Sequence, residues 1–244
     1  VNPLSVKKII RTTLRKLGSF HWPVLAGQSV FPVQTALSHK VPLIIWGAHQ
    51  GLEQVGMFSH LHEVEMTRRY RKDHDLMGYE ADDLLSIFDS LNEEDIWQYR
   101  YPDEAALEQI GVRGVYLGNF VRWDPWAQHQ QMVKHAGYAS ARLNRTFDIY
   151  DHVDDWHYMN MHDIIKSLKH GYGRVADQAS REIRHGRISR DAALKLVSNY
   201  QAMPPSFLNL MFDWLGIPAN SFKFLINPQI ASIPVNTPTH SLPN

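Results

Sequence analysis

Apolar residues at Val6, Ile9, Ile10, Leu14 and Leu17 recur at intervals of three and four. That spacing predicts an amphipathic helix over 6–17, with Gly18 as its C-terminal cap. A second short helix is expected over 28–38. The pattern then changes to Val41-Pro42-Leu43-Ile44-Ile45-Trp46-Gly47, an almost unbroken apolar run ending in glycine. Such a run between helices predicts a strand buried on both faces of a parallel sheet. Ligands of parallel sheets sit beyond the carboxyl ends of the strands, so the segment from Gly47 to Glu53 is the first place to look for chemistry.

Further along, polar caps alternate with apolar stretches. Helices are expected over 82–91, after Asn92, and over 103–110 closed by Gly111. Gly114-Val115-Tyr116-Leu117-Gly118-Asn119-Phe120-Val121 reads as a second strand, and Asp124-Pro125 as the start of another helix. Ser189 caps a helix running to Tyr200, which Pro204-Pro205 ends. A last helix is predicted over 207–215. Beyond Asn227 the tail has four prolines and no formal charge, so it is expected to be extended or disordered.

Charge changes this picture locally rather than globally. Residues 75–108 contain eleven acidic side chains and one basic one, Arg100, whereas 166–195 contain eight Lys/Arg against three Asp/Glu. Over the whole chain Lys+Arg and Asp+Glu are 25 each, so no global field draws the protein to nucleic acid or anionic lipid. With 44% apolar residues among 244, the chain has material for a real core. It has no cysteine, which excludes disulfides and a cysteine nucleophile. No apolar run approaches the roughly 18–20 residues of a membrane span, and no signal segment opens the chain, so a cytoplasmic protein is expected.

Three stretches carry candidate chemistry. In Gly171-Tyr172-Gly173-Arg174-Val175-Ala176-Asp177-Gln178-Ala179-Ser180-Arg181-Glu182-Ile183-Arg184, a helix from Arg174 would place Arg174, Asp177, Arg181 and Arg184 on one face. Val175, Ala179 and Ile183 would take the other. Guanidinium groups bind phosphate bidentately, and glycines at a helix start let backbone N–H groups approach an anion. The segment therefore reads either as a phosphate or sugar-nucleotide cradle or as a solvated basic face with internal Arg–Asp pairs. Fourteen histidines are present, and they cluster with carboxylates at 60–65 and 152–163, which leaves a metal-dependent phosphohydrolase open. Glu53 could act as a general base or bind a hydroxyl or amine. Trp46, Trp123 and Trp126 could stack on a base or sugar, or simply pack in the core.

Three phrases in register resemble the N-acetyl sugar amidotransferases of bacterial surface-polysaccharide (O-antigen) and nonulosonic-acid biosynthesis. They are Pro42-Leu43-Ile44-Ile45-Trp46-Gly47 with Glu53; Gly111-Val112-Arg113-Gly114-Val115-Tyr116-Leu117-Gly118 running on to Trp123-Asp124; and Gly171 to Asp177 with Ser180, Ile183-Arg184, Gly186 and Arg190. The resemblance extends from Leu4 to about Pro228. It implies an α/β fold of the adenine-nucleotide α-hydrolase (PP-loop) superfamily: the later part of a doubly wound parallel sheet with a mostly helical C-terminal region. The implied organisation is a nucleotide-binding part over 1–125 with an acidic helical insert at about 75–110, a helical region over 126–226 and a tail over 227–244. The implied reaction uses ATP with Mg to adenylate an acetamido oxygen on a nucleotide-activated N-acetyl sugar. Ammonia from glutaminase and ammonia-channelling subunits then leaves an acetamidino group. By motif position Trp46 and Gly47 would line the nucleotide cleft, Glu53 and Asp177 would be catalytic, and Gly173, Arg174, Ser180 and Arg184 would bind substrate.

Two departures qualify the resemblance. The superfamily's pyrophosphate loop, Ser-Gly-Gly-x-Asp-Ser, occurs nowhere in the 244 residues, and the chain opens on Val1. It therefore reads as entered partway through and as incompetent for catalysis alone. His21-Trp22-Pro23-Val24 stands where the family carries Cys-Trp-Pro-Cys, so a structural zinc site is expected to be lost. The alternative class is a non-catalytic module that retains a sugar-nucleotide or partner surface.

Overall fold

A computed structural model describes residues 2–49, 64–150 and 157–226. Glu53, most of both histidine clusters and the tail from 227 onward lie outside the described residues. The chain divides into two compact units, Val1–Trp123 and Asp124–Asn244. Among the described residues it is mostly helical, with one small parallel sheet.

The first unit opens with helix α1, Pro3–Leu17, capped by the Asn2 side chain and closed by Gly18 at φ 58°. Helix α2, Trp22–His39, starts six residues earlier than its periodicity indicates and carries Pro32 inside it. Pro23 sits in its first turn, where a missing N–H costs nothing. Strand β1, Leu43–Trp46, pairs in parallel with β2, Arg113–Tyr116, in the register Leu43↔Arg113 to Trp46↔Tyr116. The crossover between them holds a helical turn at Arg68–Tyr70 that runs into a π-helical turn at Arg71–Asp75, then α3 (Ala81–Ile87), α4 (Glu93–Ile96) and α5 (Glu104–Ile110).

Two expectations about the sheet need correcting. β1 is not buried on both faces: Leu43 is 49% and Ile45 59% exposed, while Ile44 and Trp46 are half-buried. β2 ends at Tyr116, because Leu117–Asn119 coils into a 3-10 turn instead of extending to Val121. That turn brings the two strand ends together. The Gly118 N–H donates to the Ala48 carbonyl at 3.0 Å, and a Cβ on Gly118 would lie 2.5 Å from His49 Cβ.

The core of this unit joins α1 and α2 to the crossover: Ile9, Leu17, Trp22 and Ala26 pack with Leu76, Ala81, Leu84, Leu91, Ile96 and Tyr99. The buried Trp22 indole satisfies its N–H on the Tyr79 carbonyl at 2.8 Å. The carboxylates of the acidic run are largely used inside the unit. Asp95 accepts from Ser5 at 2.6 Å and pairs with Lys8 at 3.0 Å. Glu80 bridges Arg68 and Arg71, Lys72 pairs with Asp83, and Arg100 joins Asp82 to Glu93.

The second unit is built from six helices: α6 (Pro125–Ala136), α7 (Tyr158–His170), α8 (Arg174–Arg184), α9 (Arg190–Gln201), α10 (Leu208–Leu215) and α11 (Ala219–Ile226). Asp124 caps α6 through the Ala127 N–H, and Ser189 caps α9 through the Ala192 N–H. α8 packs on both α7 and α9, and α10 packs on α7. Among the described residues no helix is long and apolar enough to cross a membrane.

A polar cleft at the α7–α8 junction

The connection between α7 and α8 is only three residues long, Gly171-Tyr172-Gly173. Gly171 caps α7 in the left-handed region at φ 77°. Gly173 has an ordinary φ of −96°, so its need for glycine is one of space. A Cβ there would lie 2.5 Å from Asp163 Oδ1 and 2.9 Å from Ser167 Oγ. The same Asp163 oxygen accepts the Arg174 backbone N–H at 2.7 Å. The start of α8 thus has its anion built in: a carboxylate from α7 occupies the position where orphan N–H groups and the helix dipole favour negative charge.

Asp163 is itself held. The Arg145 Nε donates to its Oδ2 at 2.6 Å, and Arg145 Nη1 reaches the carbonyls of Gln201, at 2.9 Å, and Met203. Arg145 is 5% exposed and adopts φ 63°, uncommon for a non-glycine residue. Its buried charge is acceptable because it is paired and hydrogen-bonded. A small pocket opens beside this pair, lined by Leu143, Asn144, Arg145, Thr146, Met159, Asn160, Asp163 and Arg174. Its lining is rich in amide and guanidinium groups, which suits a polyhydroxylated or anionic ligand.

On the rim, Lys166 pairs with Asp177 and lies 5.1 Å from the centre of the Tyr172 ring. His170 stands 6.2 Å from the same ring, centre to centre. Burial pulls the His170 imidazole below its ordinary value, and Lys169 and Lys166 add to that. Burial likewise lowers the Lys169 ammonium.

The residues singled out from the sequence fall in several places. Gly173, Arg174 and Asp177 come together at the start of α8, with Arg174 lining the pocket. The acceptor expected to orient Arg174 or a sugar hydroxyl, Asp177, is instead paired with Lys166. Ser180 and Arg184 are exposed farther along the helix. Ten residues separate Arg184 from Arg174, a distance of about 15 Å along the axis.

Arg181 requires a correction. Expected on the basic face, it is only 8% exposed, pairs with Asp148, and lies 4.8 Å over the Tyr150 ring. The buried side of α8 also includes Gln178 and Glu182, while Ile183 is 38% exposed. Glu182 accepts from Tyr150 and from Arg187, the latter at 2.5 Å, and Arg187 reaches on to Asp124 at 3.1 Å. Burial alone would raise the Glu182 carboxyl, but the bonds from Arg187 and Tyr150 outweigh it and hold it below the ordinary range.

In the first unit, Trp46 ends β1, and its buried indole N–H has no hydrogen-bond partner among the described residues. The ring lies against Gly114, where a Cβ would approach Trp46 Nε1 to 3.0 Å. Gly47 is exposed, and a Cβ there would meet nothing within 4 Å. Among the described residues no three His, Asp or Glu side chains converge as a metal site. Asp163, which its sequence neighbourhood groups with the histidines of 152–163, serves instead as a helix cap. Arg145, Asn144 and Asn160 escape sequence reasoning altogether, because isolated polar residues outside a periodic pattern leave no local signal.

The class defined by these observations is a mostly helical α/β protein with an arginine-rich polar cleft in its second unit. Residues 144–233 match the family described as "LPS biosynthesis protein WbpG-like, C-terminal domain". This part of the chain is therefore similar to a domain of a lipopolysaccharide-biosynthesis family, and the match takes in α7, α8 and nearly all of the pocket lining. No curated protein matches the chain.

Proposed function

We propose that the chain acts in lipopolysaccharide biosynthesis as part of an ATP-dependent N-acetyl sugar amidotransferase, and that the α7–α8 cleft binds its nucleotide-activated N-acetyl sugar. The observation that carries this reading is the coincidence of the WbpG-like match with the polar cleft and its Gly-Tyr-Gly-Arg junction. In the proposed reaction the acetamido oxygen attacks the α-phosphate of ATP and pyrophosphate leaves. Ammonia adds to the activated carbon, and AMP departs with the former amide oxygen, leaving an acetamidino group. Adenylation is needed because an amide oxygen is a poor leaving group.

Within this scheme the chain's own residues bind and orient. Arg174 faces the pocket and is assigned to a phosphate of the sugar nucleotide, a role suited to its planar fork of donors. Asn144 and Asn160 offer amide groups to sugar hydroxyls or the acetamido group. Asp163 and Arg145 position the start of α8. Ser180 and Arg184 are assigned to more distal parts of the substrate, and Asp177, held by Lys166, to the polar rim. In the first unit, β1 and β2 are proposed as part of a doubly wound sheet, with Trp46, Gly47 and Glu53 beside the nucleotide and the incoming ammonia.

The described residues do not by themselves fit Mg–ATP, since they contain neither a converging carboxylate set nor a pyrophosphate loop, and no step of theirs runs through it. That observation favours one second reading, a sugar-nucleotide-binding module without its own catalysis. The proposed dependence on glutaminase and ammonia-channelling subunits belongs to the amidotransferase reading alone.

Deletion of the coding sequence in the source organism tests the assignment. Mass spectrometry of the surface polysaccharide should show acetamidino sugars replaced by acetamido sugars. A polysaccharide unchanged in its acetamidino content contradicts the amidotransferase reading.

A further inference from the structure

Tyr172 is 40% exposed, although it sits in the most constrained link of the second unit. The glycines on either side of it have separate reasons to be glycine. Gly171 holds the left-handed cap of α7, and Gly173 is wedged against Asp163 and Ser167. The ring is therefore presented from two helix ends, with little freedom in the backbone that carries it. Presenting an aromatic surface to water from a rigid link loses the burial that normally rewards a tyrosine, and it lowers the entropy cost of stacking a flat partner on the ring.

The surroundings of the ring specify that partner further. Arg145, Lys166, Lys169 and Arg174 bring four cations to this junction and its pocket, against two carboxylates, Asp163 and Asp177. Both carboxylates are engaged by cations, Asp163 by Arg145 and Asp177 by Lys166. The balance is a surplus of two positive charges, which matches a diphosphate. Arg174 lines the pocket and lies two residues beyond Tyr172, so a single extended ligand can span both.

We infer that Tyr172 is the nucleobase-stacking residue of this cleft. The base lies on the Tyr172 ring, the diphosphate lies across Arg174 and the Lys166–Lys169 turn, and the sugar occupies the pocket lined by Asn144 and Asn160. The ligand class is a nucleoside diphosphate carrying a sugar. This rests on the proposed function for the presence of a sugar nucleotide, and it adds which end of that molecule each part of the site takes.

The test is calorimetric titration of the 244-residue chain and its variants with three probes: UDP, UDP-N-acetylglucosamine and N-acetylglucosamine 1-phosphate. Tyr172→Ala should weaken UDP and UDP-N-acetylglucosamine by about 5- to 100-fold, the usual range for loss of one base stack, and leave the sugar 1-phosphate unchanged. Tyr172→Phe should bind all three as the parent chain does, because the ring and not the hydroxyl makes the stack. Thermal melts of both variants keep a folding defect from imitating loss of the site. If Tyr172→Ala binds UDP as tightly as the parent, the inference is overturned while the sugar-nucleotide reading stands. If it weakens the sugar 1-phosphate equally, Tyr172 contacts the sugar or phosphate, and the stacking assignment is overturned. If the parent chain binds none of the probes, the sugar-nucleotide reading fails and takes this inference with it.

Discussion

Asp163 on α7 and Gly173 at the start of α8 lie so close that a methyl group on residue 173 would sit 2.5 Å from the Asp163 carboxylate. Asp163 cannot easily retreat, because Arg145 holds its other oxygen at 2.6 Å. The contact sets the angle at which α8 leaves the junction, and with it the placement of Arg174 in the pocket.

Gly173→Ala is therefore expected to destabilise the second unit by about 1–3 kcal/mol, the usual cost of overpacking. Asp163→Ala should cost more, about 3–5 kcal/mol, because it leaves the guanidinium of the buried Arg145 without its carboxylate. Urea unfolding of the two variants checks both the sign and the order.

In the first unit, Glu80 carries a comparable burden. It neutralises Arg68 at 2.8 Å and Arg71, whose side chain is 1% exposed. Arg71 also stacks 4.4 Å from the Tyr101 ring, and its Nε and Nη1 have no hydrogen-bond partner among the described residues. Glu80→Gln removes the charge that offsets this burial and should destabilise by about 3–5 kcal/mol. The exposed Arg100–Glu93 pair should show little effect when Glu93 is replaced by Gln, since water screens it. Parallel melts of the two variants separate the cases.

The pH dependence follows from Glu182 and Asp124. Arg187 hydrogen-bonds both carboxylates and, despite burial, both titrate below the ordinary range. Lowered carboxyl values in the folded state give stability that is complete above the unfolded values near pH ~4 and is lost as pH falls through the folded ones. His170 acts at higher pH with the same direction: its lowered value makes the folded state prefer the neutral ring, so stability is complete above about pH 6.5 and declines below it. Circular dichroism melts between pH 7 and 3 should show a first decline that His170→Gln abolishes and a steeper acid limb that Glu182→Gln moderates.

The helices with local punctuation were legible in the sequence. Gly18, Gly111, Ser189 and Asp124-Pro125 act within one turn, so their caps could be read without knowing the fold. The exposure of β1 was not legible, because an apolar run reports composition and carries no information about which neighbours cover it. α7 was obscured by its histidines, which drew attention to metal chemistry, and α11 by its short length. The site was legible in part. The Gly-Tyr-Gly-Arg junction stood out, but its decisive partners, Arg145 and Asp163, are 28 and 10 residues before Gly173. Arg181 went wrong for a related reason: a helical wheel assigns charge to the outside, and only the tertiary placement of Asp148 and Tyr150 makes its burial tolerable.

Binding of a sugar nucleotide by the α7–α8 cleft through Arg174 is the relationship on which the functional reading turns. The most direct test is equilibrium binding of UDP-N-acetylglucosamine to the chain and to Arg174→Ala, with Arg190→Ala as a control on exposed charge in the next helix. Loss of a charge-assisted phosphate contact predicts roughly 10-fold or greater weakening for Arg174→Ala, with the control unchanged. Equal affinity in all three proteins would contradict that role for Arg174.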